Sequence, residues 1–258
     1  MTCRLLSTLL VLAACASSDD PQAPAGLDIG ATARVMTDDG AFEVAESSSA
    51  TVTIASASAV LRDIELDLPD GETCAALPPD AVVAPVRCSE DKLHVDGPFV
   101  VDLVARTSSP SLDDIVLPSG TYRRLDMRFE PDGSDVSLSV AGTIAVDGAE
   151  HELTIELPIR EDARFESPGG VVVDGSTSLL AHIDLDVVFA QVPLKECLDD
   201  GDLDVIDGAV HVTDRSDCGE VRNAIEEALK ESWDLDEHHH DDGEHESEHE
   251  SEHESEHD

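Results

Sequence analysis

The chain has 258 residues, of which 58 are aspartate or glutamate and 15 are lysine or arginine, and its formal net charge is −43. A surface this negative repels nucleic acid and anionic lipid headgroups, so nucleic-acid binding is not expected. Cations and basic surfaces are the partners that its charge favours. The length is sufficient for one large β domain or for two small ones.

The first residues have the pattern of a secretory signal. Arg4 supplies a positive charge, residues 5–12 are mostly apolar, and Ala13 and Ala14 are small. Such a segment is too short to span a bilayer as a helix and is typical of an exported precursor. An ordinary signal peptide with a chance cysteine, or a cytosolic chain with an apolar start, is the alternative interpretation.

Leu-Ala-Ala-Cys at positions 12–15 resembles the bacterial lipobox, where a lipoprotein precursor is acylated on cysteine and cut in front of it. We therefore expect residues 1–14 to be a lipoprotein signal peptide and Cys15 to carry the palmitate and other acyl chains of a membrane anchor. Residues 15–26 read as a flexible tether. Ala16 after the cysteine resembles an outer-membrane address, so we expect a periplasmic or surface position in the bacterial envelope.

Four further cysteines follow: Cys74, Cys88, Cys197 and Cys218. Exported chains fold in an oxidising compartment, where even numbers of cysteines tend to pair. Of the three possible connectivities we favour Cys74–Cys88 and Cys197–Cys218, which close short loops worth about 3 kcal/mol each. A zinc site is less favoured, since the chain has no C-x-x-C pair.

The clearest element is a β-hairpin at residues 136–159. Apolar residues alternate on both sides of Asp147-Gly148, a strong signal for a two-residue turn. This turn places Val140 opposite Ile155, and it predicts two further apolar pairs, Leu138 with Leu157 and Val136 with Ile159. One face of the hairpin is then uniformly apolar.

Other segments alternate with a period of two at residues 52–54, 64–68, 125–129 and 181–189, and residues 99–104 form a short apolar run. Turns rich in Pro, Gly and Asp separate them, which favours a β-sandwich. Residues 219–233 carry apolar side chains at helical spacing. We therefore predict an all-β domain over residues 27–233, with one C-terminal α-helix that packs on it.

Two stretches together resemble a known family. Val101-Asp102-Leu103-Val104 is followed by Leu117-Pro118-Ser119-Gly120-Thr121-Tyr122. This pattern is similar to that of the bacterial lipoproteins called domain of unknown function 4382, over about residues 27–130. The resemblance implies an immunoglobulin- or transthyretin-like sandwich and implies no catalytic residues. The segment between Cys74 and Cys88 departs from the family pattern.

The C-terminal segment, residues 234–258, holds thirteen acids and seven histidines and no lysine or arginine. Because its glutamates repel one another, we predict a disordered acidic tail at neutral pH. A Glu-His-Glu-Ser repeat spaces four of the histidines at i, i+4, and imidazole suits Zn²⁺, Ni²⁺ and Cu²⁺. A low-complexity spacer is the alternative. The predicted metal ligands are His238, His239, His240, His245, His249, His253 and His257.

Two weaker groups are also candidates for metal sites. His182, Asp184 and Asp186 would share one strand face, although a solvent-facing strand explains them as well. Residues 199–207 are rich in aspartate, as calcium loops are, but lack the EF-hand spacing. G-x-S-x-G, H-E-x-x-H and a phosphate-binding glycine loop are all absent, so an enzyme is not expected.

The sequence thus predicts a lipid-anchored envelope protein that captures or buffers divalent metal through its tail and needs no cofactor. The alternative is a structural or adhesive surface protein, in which the sandwich recognises an envelope partner and the tail is a solvated spacer. Anchor and tail lie at opposite termini, so we expect the tail to be free of the end that the membrane holds.

Overall fold

A computed structural model describes residues 26–239, except 39, 49, 70, 79–81, 83, 113, 134, 175, 176 and 232, and gives only the backbone of residues 177, 231 and 233–239. The predicted signal peptide, the predicted tether as far as residue 25, the predicted acylation site Cys15 and five of the proposed metal ligands lie outside this range. Those five are His240, His245, His249, His253 and His257.

The described part of the chain is mostly β-structure. Its strands are β1 (Leu27–Thr32), β2 (Val35–Met36), β3 (Phe42–Ala45), β4 (Thr51–Asp67), β5 (Val86–Ser89), β6 (Lys92–Val95), β7 (Phe99–Asp102), β8 (Thr107–Ser109), β9 (Gly120–Phe129), β10 (Leu138–Val146), β11 (Ala149–Leu157), β12 (Asp162–Val173), β13 (Thr177–Asp184), β14 (Val205–Ile206), β15 (Ala209–Thr213) and β16 (Trp233–His239). Its helices are α1 (Leu185–Phe189), α2 (Leu194–Asp200) and α3 (Gly219–Glu231).

The long strand β4 organises the sheet. Its first half pairs with β10 and its second half with β9, while β3, β7 and β6 pair along its other edge. Register shifts interrupt it at two points, one facing Gly142 of β10 and one between Arg62 and Glu65. Because each bulge bends a strand, one continuous strand serves two groups of neighbours. The sequence pattern showed this strand as two separate segments.

Two wings extend from one edge of β4, β9-β12-β16-β13-β1 from its second half and β10-β11-β15-β14 from its first half. The first wing curls back toward β4. The N–H of Ala31 in β1 donates to the carbonyl of Leu103, and the N–H of Leu103 donates to the carbonyl of Ala57 in β4, both at 2.8 Å. The all-β class is therefore confirmed, and the described strands form one continuous hydrogen-bonded sheet.

The core is built mainly from aliphatic side chains, with few aromatic residues. Tyr122, Phe129 and Phe165 are fully buried, and alternate residues of the long strands face inward beside them. The predicted helix forms as α3, whose buried stripe contacts α1 and β12. That stripe consists of Val221, Ile225, Ala228 and Leu229.

The central hairpin has the predicted register. Val140 pairs with Ile155 and Leu138 with Leu157, across a turn in which Asp147 and Gly148 have φ of 51° and 81°. Positive φ at both turn residues matches the right-handed twist of the strands, which is why Asp-Gly is favoured there.

Two boundary predictions are wrong. The strand predicted at 181–189 ends at Asp184, where a helical turn begins, because the Asp184 carboxylate accepts a hydrogen bond from the N–H of Val187 at 3.2 Å and caps α1. Residues 234–239, which were predicted to belong to the disordered tail, are ordered as a strand. The backbone of Trp233–His239 forms β16, which fills the gap between β13 and β12.

Candidate functional site

Both ends of the described chain lie at the same end of the sheet. The N–H of Gly26 donates to the Ser178 hydroxyl at 3.2 Å, and the N–H of Leu179 donates to the Gly26 carbonyl at 3.0 Å. On the opposite edge of β13, His238 pairs with Ser178. Ser178 is therefore flanked by the first described residue on one side and by a predicted metal ligand on the other.

The directions of β1 and β16 explain why the two ends of the described chain are close. Strand β1 runs parallel to β13 and leaves this end, while β16 runs antiparallel to β13 and arrives there. Two strand spacings, about 10 Å, separate the paths of β1 and β16. The predicted tether before Leu27 and the residues after His239 therefore connect to the same end of the domain. Gly26 and His239, the first and last described residues, therefore lie near each other, which the sequence pattern did not indicate.

Both predicted disulfides are present. Cys74 pairs with Cys88 and Cys197 pairs with Cys218. The second bond ties α2 to the residue before α3, and both of its cysteines are buried. Among the described residues, the one group of three potential ligand atoms within 4.8 Å is Cys197, Cys218 and Glu220, and the disulfide removes the two thiolates that a metal would need.

The candidate group His182, Asp184 and Asp186 does not form one strand face. His182 and Asp184 lie on β13, but Asp186 lies in α1, where its carboxylate accepts a hydrogen bond from the N–H of Arg34 at 2.6 Å. The Asp184 carboxylate caps the same helix. Both carboxylates therefore have structural roles at the junction of strand and helix.

The aspartates of residues 199–207 are dispersed. Asp199 pairs with Lys195 at 2.6 Å, Gly201 ends α2 in the left-handed conformation, and Asp207 occupies the turn before β15. In the described part of the chain these carboxylates do not gather as a group of ligands. The loop is therefore explained by its turns rather than by a cation.

The sheet carries a charged row that sequence reasoning missed. His94, Glu65, Asp126 and Arg164 lie in register across β6, β4, β9 and β12. Arg124 and Arg164 contact the Asp126 carboxylate at 2.6 and 3.1 Å. Such cross-strand pairs each contribute roughly 0.2–1 kcal/mol, so this row stabilises the sheet. Its residues are far apart in sequence, and only the strand order brings them together.

Tyr122 anchors the start of β9. Its side chain is fully buried, and its hydroxyl donates to the carbonyl of Pro118 at 2.7 Å. This bond from a tyrosine to a carbonyl four residues upstream is similar to the tyrosine corner of β-sandwiches. Burial, together with the nearby Glu72 carboxylate, raises the pKa of the phenol.

We expect Tyr122→Phe to lower the free energy of unfolding by about 1–3 kcal/mol, because the buried Pro118 carbonyl loses its donor. Ser119→Ala, at an exposed neighbour, serves as the control and should change little. Because the folded state raises the pKa of the phenol, its contribution is complete below the unfolded pKa of about 10 and is lost as pH rises toward the folded pKa. Chemical denaturation from pH 8 to 11 should show this fall for the wild type and not for Tyr122→Phe. A fall of equal size in both would contradict the assignment.

With this geometry established, comparison with known proteins finds no matching protein family, no similar curated protein and no similar solved structure. None of the described helices has the length and apolar character needed to cross a membrane.

Proposed function

We propose that this protein is a lipid-anchored envelope protein that captures divalent metal through its histidine-rich C-terminal segment, close to the membrane that holds it. The observation that carries the proposal is the position of β16. This strand brings His238 and His239 to the end of the sheet where Gly26 enters.

The length of the tether sets the distance between the proposed lipid anchor and the domain. Residues 15–26, if they behave as a flexible coil, have an end-to-end distance of about 20 Å. The root of the tail, by which we mean His239 at the end of β16, lies about two strand spacings from the end of that tether. A metal ion bound near the root would then be held within a few tens of ångströms of the lipid anchor.

The chemistry of the segment supports metal capture. Imidazole binds Zn²⁺, Ni²⁺ and Cu²⁺ in its neutral form, and the surrounding carboxylates attract cations. The acids of residues 234–258 also raise the local cation concentration. Protons compete for the same nitrogens, so metal affinity should fall steeply below about pH 6.

Calorimetric titration with Zn²⁺ or Ni²⁺ tests this function. The informative truncation ends at His239, because ending the chain at Trp233 would also remove β16 from the sheet. We expect the full-length chain to bind metal at pH 7.5 and to lose most of that binding at pH 5.5, and the truncated chain to bind weakly at both.

A matched control keeps the length and negative charge of the segment. In the full-length chain, asparagine replaces the histidines that the truncation removes. Loss of binding in this variant assigns the metal to imidazole, whereas unchanged binding would assign it to the carboxylates. Equal, weak binding by the full-length and truncated chains would refute the proposal. The replaced residues are His240, His245, His249, His253 and His257.

For the fold, we propose that the bent sheet belongs to the immunoglobulin/transthyretin-like sandwiches and that the chain is related to the family of unknown function 4382. The Tyr122–Pro118 hydrogen bond supports this, since it lies within the Leu117–Tyr122 stretch on which the resemblance rests. The bulges of β4 support it as well, because they let one strand contribute to two layers.

The charged row around Asp126 favours the alternative of an adhesive protein. That row presents half-buried charges of both signs on a sheet face, which suits a partner of mixed charge. Under this alternative, the chain that ends at His239 keeps its full affinity for an envelope partner.

A further inference from the structure

A cleft of about 600 Å³ opens between the end of the central hairpin and the start of α3. The hairpin side contributes Val136, Glu156 and Pro158, followed by Arg160 before β12. The other side contributes Arg215, in the turn after β15, and Arg222 of α3. Three arginines thus border one cleft in a chain that has 58 acids and only 15 lysines and arginines.

Two of these arginines form no ion pair with any residue that the structure describes. In such an acidic chain, an arginine near the surface is expected to lie beside a carboxylate. Among the described residues, Arg160 and Arg215 form no ion pair. Ion pairs among the described residues include those of Arg62, Arg87, Lys92, Arg124, Arg128, Arg164, Lys195, Arg222 and Lys230.

Arg222 is held in a fixed orientation at the edge of the cleft. Its Nε donates to Glu226 at 2.8 Å and its Nη1 donates to Asp214 at 2.7 Å. The hydrogen bond with Glu226 raises the pKa of the guanidinium. Two carboxylates balance this charge, so Arg160 and Arg215, on opposite sides of the cleft and without an ion pair among the described residues, are the two arginines available to an anion.

We propose that the cleft binds an oxyanion, the carboxylate or phosphate group of a small organic ligand, through Arg160 and Arg215. Both guanidiniums border the same cleft, so an anion inside it is attracted to both. The planar fork of each guanidinium matches the oxygens of carboxylate and phosphate. Asp135 and Glu156 also line the cleft. Their negative charges disfavour further anionic groups in the cleft, so the rest of the ligand is neutral or cationic.

The test titrates full-length protein at low ionic strength with inorganic phosphate and, separately, with succinate. The readout is the NMR shift of the arginine Nε–H groups. We expect saturable shifts, with affinity about ten-fold lower in Arg160→Gln and in Arg215→Gln. Arg34→Gln removes an exposed arginine that has no ion pair among the described residues and lies outside the cleft, so it should leave the affinity unchanged.

Glu156→Gln provides a second and opposite readout. Removing this negative charge should tighten anion binding, whereas damage to the fold would weaken it. Saturable binding of only one probe supports the site and identifies the oxyanion it prefers. Absence of saturable binding by either probe, or equal weakening by Arg34→Gln and by the cleft variants, would overturn the proposal.

Discussion

Gly142→Ala is expected to destabilise the domain by about 3 kcal/mol or more, a large share of the 5–15 kcal/mol that a folded domain typically has. Gly142 lies on β10 at the first bulge of β4. A Cβ at this position would lie 1.8 Å from the carbonyl oxygen of Thr53 and 2.8 Å from its carbonyl carbon.

This clash cannot be relieved by a side-chain rotation. The atoms that a Cβ would meet belong to the backbone of Thr53 and Ile54, so β4 itself would have to move. Because β4 pairs with β3, β7, β9 and β10 as well as β6, the displacement would disturb both wings of the sheet.

Urea denaturation of Gly142→Ala and of the wild type measures this effect. Gly169→Ala is the matched control, since no atom lies within 4 Å of its Cβ position. We expect the control to stay within about 0.5 kcal/mol of the wild type. Similar stabilities for Gly142→Ala and Gly169→Ala would show that β4 and β10 do not approach as described.

Removing the Cys197–Cys218 disulfide should lower the free energy of unfolding by about 3 kcal/mol and the melting temperature by roughly 6–12 °C. The bond closes a segment of 21 residues that carries β14 and β15. Both cysteines are buried, so replacing them with alanine also removes packing atoms from the core between α2 and α3.

The second disulfide supplies the comparison. Cys74 and Cys88 are 14 positions apart in sequence and are only partly buried. Their replacement by alanine should therefore cost less than the replacement of Cys197 and Cys218. Scanning calorimetry of the two double variants measures the difference. A larger loss from the Cys74–Cys88 pair would contradict the view that the buried bond secures the C-terminal part of the fold.

Local signals were sufficient for the elements that depend on neighbours in sequence. The hairpin around Asp147-Gly148 was predictable because its turn chemistry and its period of two agree. The stripe of α3 and the two short disulfide loops were predictable for similar reasons. The hairpin, the helix and each disulfide depend on residues that lie within about twenty positions of one another in sequence.

Elements whose structure depends on residues far away in sequence were not predictable. Apolar residues at Leu185, Val188 and Phe189 fit the period of a helix, but Leu185, Val187 and Phe189 also continue the alternation of β13. Strand β16 is rich in acids and histidine, so its sequence alone predicts a disordered tail. It forms a strand because it pairs with β13 on one edge and with β12 on the other. The arginine cleft was not predictable either, because its lining residues come from segments that are far apart in sequence.

The position of β16 changes where the proposed lipid anchor would hold the proposed metal-binding tail. With tether and tail on one end of the sheet, metal that the tail binds would be held near the bilayer rather than far from it. The rest of the domain would then project away from the membrane, with the arginine cleft between the hairpin and α3.

The most direct test measures whether tail-bound metal lies near the lipid. The lipidated chain is placed on phosphatidylcholine vesicles that contain a lipid with a fluorescent headgroup, and Cu²⁺, which imidazole binds and which quenches nearby fluorophores, is added. The account predicts protein-dependent quenching that saturates as the tail fills, and its absence in a chain that ends at His239. Copper binding by the full-length chain without any quenching of the lipid would contradict it.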